Sequence, residues 1–89
     1  MKFDLQWFTE KNLENQTPNQ LRKGIKTFQK RIEEHLNKIN EPWKIYDDWY
    51  DEPEMQEGRL GHWLHEIKNF EESIRNRVEE LEKRGEKHD

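Results

Sequence analysis

The sequence predicts an all-α fold: an antiparallel helical hairpin with an aromatic, acidic connector able to form a short third helix. Three observations predict it. Two stretches repeat apolar residues at the spacing of a single helix face, capping residues bound them, and a proline-bearing acidic segment separates them. With 89 residues, 29% of them hydrophobic and 40% charged, there is room for one small domain with a thin core.

Residues 1–16 lack a helical period. Phe3, Leu5 and Trp7 alternate as in a short strand, and the polar run from Thr9 to Gln16 reads as a linker. The segment is expected to be a flexible arm. Its large apolar side chains, Phe3, Leu5, Trp7 and Phe8, would suit contact with a partner or a second copy of the chain.

The first helix opens on Thr17-Pro18-Asn19-Gln20, a capping box with proline in the first turn. Its stripe is Leu21, Ile25, Phe28, Ile32, His35 and Ile39, widened by Leu36. Pro42 stops it, because the residue before proline avoids the α region. Gly24 weakens the helix but lies near the stripe's edge, where a close approach by a neighbour would explain it.

The connector, residues 41–57, carries Trp43, Ile45, Tyr46, Trp49 and Tyr50. These aromatics are expected to fold back over the open side of the hairpin, since two helices alone bury little; otherwise a second copy completes the core.

The second helix carries Leu60, Trp63, Leu64, Ile67, Phe70, Ile74, Val78 and Leu81. Its start is ambiguous: Asp51-Glu52-Pro53-Glu54 would cap a helix near residue 52, whereas Gly58 and Gly61 favour a break and a start near 59. Lys83, Arg84 and Gly85 mark its end. The expected organisation is an arm at 1–16, a hairpin domain at 17–85 and a tail at 86–89.

Net charge is -4, unevenly spread. Residues 18–40 hold Arg22, Lys23, Lys26, Lys30, Arg31 and Lys38 against Glu33 and Glu34. Residues 41–57 hold Glu41, Asp47, Asp48, Asp51, Glu52, Glu54 and Glu57 against Lys44 alone. So acidic a middle disfavours nucleic acid there. The basic stretch could touch phosphates, but no recognised nucleic-acid motif accompanies it, and such a stretch is more often a solvated helix face.

No apolar run approaches the ~20 residues of a membrane span. The residues after Met1-Lys2 are too polar for a secretory signal. Without cysteine there is no disulfide, thiolate ligand or thiol nucleophile, and a reducing cytoplasm is the expected compartment.

Few residues point to chemistry. His35 falls in the first helix's seam, where a hydrogen-bonded core histidine is the simpler reading. His62 and His65 are three apart on the face opposite the second helix's stripe. They are either solvated or two ligands of a structural zinc ion, with Asp48 or another of Asp47, Asp51 and Glu66 completing the set. Ser73, the lone serine, sits mid-helix, and no glycine-rich phosphate loop is present. A metal-free ribonuclease using His35 or His62 remains an alternative, though a thin hairpin offers no deep cleft.

The acidic aromatic segment is the sharper feature. Trp43, Tyr46, Asp47, Asp48, Trp49 and Asp51 combine anchoring area with complementarity to a basic partner. The same tryptophans would equally serve to cap the hairpin core.

Two stretches also carry resemblances. MKFDLQWF (1–8) resembles the opening of proteins from the capsid-gene region of Gram-positive phages. LRKGIKTFQKRIEEHLNKI (21–39) and GHWLHEIKNFEESI (61–74) resemble a helical module of phage head-morphogenesis proteins and bacterial polymorphic toxins. There the module is an appendage, whereas this chain opens on Met1 without a head-protein or toxin domain, so a small freestanding phage or mobile-element protein is expected. The resemblance implies an anti-defence role. By analogy of size and context this would be an anti-CRISPR: a non-enzymatic inhibitor in the host cytoplasm that binds a basic Cas9-type nuclease and blocks DNA loading. The alternatives are a phage structural or assembly module acting by helix pairing, including as a homodimer, and the small toxin-like ribonuclease. Neither a membrane partner nor direct sequence-specific nucleic-acid binding is expected.

Overall fold

The computed structural model describes residues 13–88. Those residues form an all-α hairpin of two long helices, α1 (Pro18–Asn40) and α2 (Gln56–Lys83). The pairing is antiparallel: Arg22 meets Glu86, Phe28 meets Phe70, and His35 meets Glu66. The expected arm contacts of Phe3, Leu5, Trp7 and Phe8 lie outside the described residues.

α1 starts where its sequence places it. Thr17 Oγ1 accepts from the Gln20 amide at 3.1 Å, and Gln20 Oε1 accepts from the Thr17 amide at 2.9 Å. Two otherwise unpaired donors of the first turn are thereby satisfied. At its far end the Glu41 amide bonds the Asn37 carbonyl, and buried Pro42 begins a 3-10 turn, Pro42–Lys44.

The connector forms no third α-helix. It is a chain of turns bracketed by Pro42–Lys44 and a second 3-10 turn, Pro53–Met55. That second turn feeds directly into α2, which runs through Gly58 and Gly61 rather than starting near residue 59. Neither glycine has anything within 4 Å of where a Cβ would sit, so neither marks a close approach. The glycine cost of ~1 kcal/mol each is offset by packing of Arg59 and Trp63 on the connector. α2 ends in a Schellman motif: Gly85 has φ 76°, its amide bonds the Glu82 carbonyl, and the Glu86 amide bonds the Leu81 carbonyl at 2.9 Å.

Two apolar clusters hold the pair. At the open end, Leu13, Leu21, Ile25 and Leu81 pack with Ile74 and Val78. Leu13 opens a 3-10 turn, Leu13–Asn15, and the Leu13 and Gln16 carbonyls accept from Arg84 at 2.9 and 2.6 Å. Leu13 and Gln16, the described part of the expected arm, are therefore anchored to the hairpin; residues 1–12 lie outside the described residues. At the connector end Trp49, Trp63 and Ile67 are buried. Gly24 has the close neighbour its position implies: a Cβ there would stand 2.7 Å from Arg77 Nε. Buried Arg77 donates from Nη1 to the Ser73 carbonyl at 3.0 Å and lies over Phe28.

Both stripes need one correction. Leu36 and Leu64, read as core, are 51% and 55% exposed, whereas Ser73 and Arg77 are buried. His35–Glu66 and Gly24–Arg77 occupy one flank of the seam. Leu36 follows His35 by one residue and Leu64 follows Trp63 by one, each rotated ~100° past the seam toward the other flank. No helix among the described residues is long and apolar enough to cross a membrane.

Candidate functional site

The closed end of the hairpin is built from inside outward. Trp49 is only 6% exposed, and the Tyr46 ring stacks on both Trp49 and Trp63, with centroids 6.4 and 5.8 Å away. The Arg59 guanidinium covers Tyr46 at 3.8 Å from the ring centroid. Its Nη1 and Nη2 reach the two oxygens of Asp48 at 3.0 and 3.5 Å. Gln56 Nε2 donates to the Trp49 carbonyl at 2.8 Å, tying the first turn of α2 to the connector. The hydrogen bond from Arg59 holds the Asp48 carboxyl below the usual carboxylate range, outweighing desolvation.

Outside this brace lies a surface. Trp43 and Tyr50 stack at 6.2 Å and are 44% and 70% exposed. Asp47, Asp51, Glu52 and Glu54, in the same connector, are exposed, as are Ile45 and Met55.

The expected contact residues thus divide. Trp43, Asp47 and Asp51 face solvent. Tyr46 and Asp48 are half-buried and engaged by Arg59, and Trp49 is core. Trp49, expected at the contact surface, is instead buried, with the Tyr46 ring stacked on its indole. Sequence reasoning omitted Tyr50 from the contacts and missed Arg59 as a brace. A lone basic residue facing a run of connector acids was the available signal for Arg59.

Two of the four histidines, His35 and His62, are arranged around one carboxylate. Buried His35 has Nδ1 at 3.0 Å from the Arg31 carbonyl and Nε2 on Glu66 Oε1. His62 Nε2 is 3.0 Å from the other oxygen, Oε2. The hydrogen bond with His35 holds the Glu66 carboxyl below its ordinary range, against desolvation, with the charges of His62, His35 and Lys38 adding to the effect. His35 is therefore a hydrogen-bonded core histidine, with the Phe70 ring edge-on to it at 5.2 Å.

His65 is exposed, and Asp48 faces Arg59. No group of three or more His, Cys, Asp or Glu side chains able to hold a metal ion forms among the described residues. The expected zinc set of His62, His65 and Asp48 gains no support from this arrangement.

A shallow groove of about 270 Å³ beside the C-terminal end of α1 is lined by Glu34, Asn37, Lys38, Glu41, Lys44 and Ile45. An ion pair between Lys44 and Glu41 at 2.9 Å spans its rim. Its volume falls below the range usual for small-molecule sites.

No protein-family model, curated protein or solved structure matches the chain.

Proposed function

We propose that the chain is a non-enzymatic protein-binding inhibitor whose closed end grips a basic partner. One observation carries this reading: an exposed, stacked Trp43–Tyr50 pair lies in a connector whose acids Asp47, Asp51, Glu52 and Glu54 are exposed and whose Trp49 is buried. Aromatic anchors supply contact area at low entropic cost, and surrounding acids steer a basic surface into register. The brace pre-organises the patch, so little ordering is left to do on binding.

The phage-region resemblance of residues 1–8 directs the first choice of partner. A guide-loaded Cas9-type nuclease has a basic DNA channel, and occupying it prevents loading without chemistry. The test compares DNA cleavage by such a nuclease with wild-type chain and with Asp47→Lys/Asp51→Lys/Glu52→Lys. Inhibition by the wild type and its loss in the variant support the reading. Undiminished inhibition by the variant removes the tip from the mechanism. Affinity capture from a bacterial lysate with the same pair extends the test to other basic partners.

A second reading, an assembly module acting by helix pairing, draws on the exposure of Leu36 and Leu64. It expects concentration-dependent self-association that Leu36→Glu/Leu64→Glu abolishes, read by analytical ultracentrifugation.

A further inference from the structure

We infer that the exposed tip takes arginine side chains of its partner in preference to lysine; this deepens the protein-binding reading above and rests on it. The molecule already contains a filled arginine site. Arg59 lies flat over the Tyr46 ring at 3.8 Å, and its fork meets Asp48 through two nitrogens. A planar, weakly hydrated guanidinium stacks on a ring and bridges a carboxylate at once. A lysine ammonium is a compact, strongly hydrated point charge and cannot do both.

One turn of the connector away, the same chemistry faces outward. Tyr50 is 70% exposed, and its ring is held parallel to Trp43 within 23°. Asp51 is its immediate neighbour and Asp47 precedes it by three residues; both are exposed, and neither forms an ion pair among the described residues. The outer face thus offers the same kinds of group, an exposed ring with exposed carboxylates three residues before it and one after, and no arginine of this chain occupies them among the described residues. The charge of the segment, seven acids against Lys44 alone over residues 41–57, selects for a cationic occupant.

The experiment titrates the full chain with oligo-arginine and oligolysine peptides of equal length at one ionic strength, read by calorimetry. Oligo-arginine should bind about threefold or more tighter. Trp43→Ala/Tyr50→Ala should bring the two peptides to parity, lowering oligo-arginine affinity more than oligolysine affinity. Trp43→Phe/Tyr50→Phe should keep the preference, which guards against a variant that misfolds. Equal affinity of the two peptides for the wild type, or a preference surviving the alanine pair, overturns the inference. Parity with both peptides bound leaves the protein-binding reading standing, whereas binding of neither overturns both.

Discussion

Glu66 shows how much one side chain can carry in so thin a protein. It occupies His35 from α1 and His62 from its own helix, one oxygen each. Glu66→Ala would leave buried His35 without its cross-helix partner and should cost about 1–3 kcal/mol, measured by urea unfolding at neutral pH. The pH dependence has a definite sign. A carboxyl held below its ordinary value of 4.5 stabilises the fold above that pH, and the contribution is lost as pH falls below it. Glu66→Gln should therefore flatten the acid limb of the stability curve below about 4.5. Glycines make a second test at this scale. Gly58→Ala and Gly61→Ala meet open space and should each stabilise by up to ~1 kcal/mol. Gly24→Ala should destabilise, because buried Arg77 must yield to the new methyl.

Among the elements, the connector separates structure from display. Trp49→Ala removes the buried indole and should cost roughly 3–5 kcal/mol, whereas Tyr50→Ala, one residue on, should stay within about 0.5 kcal/mol; thermal or urea unfolding checks both. The two helices were legible because Thr17-Pro18-Asn19-Gln20 and Gly85 are local signals whose geometry depends on few distant contacts. The start of α2 was not, because Gly58 and Gly61 read locally as a break, and only tertiary packing of Arg59 and Trp63 on Tyr46 overrides them. For the same reason Trp43 and Trp49 look alike in sequence, both aromatics among acids, although one is surface and the other core. A period of 3.6 also fails to say which flank of a two-helix seam is covered. Leu36 and Leu64 therefore read as core from the period alone, although both are exposed.

At the scale of the whole molecule, charge is separated along a body of 51 × 30 × 14 Å. The basic helix α1 leads into the acidic tip, and the tip lies at the end away from the cluster of Leu13, Leu21 and Leu81. The smallest extent is close to one helix with its side chains, so nearly every residue of the hairpin is near a surface. The proposed binding through the acidic tip would be electrostatically steered and should weaken as salt rises. The most direct measurement is amide hydrogen exchange of the chain, free and bound to a guide-loaded nuclease or to the basic protein it captures. Protection concentrated over residues 43–54, with the Leu36–Leu64 flank unchanged, is the predicted result. Protection along that flank with the tip still exchanging freely would contradict the account.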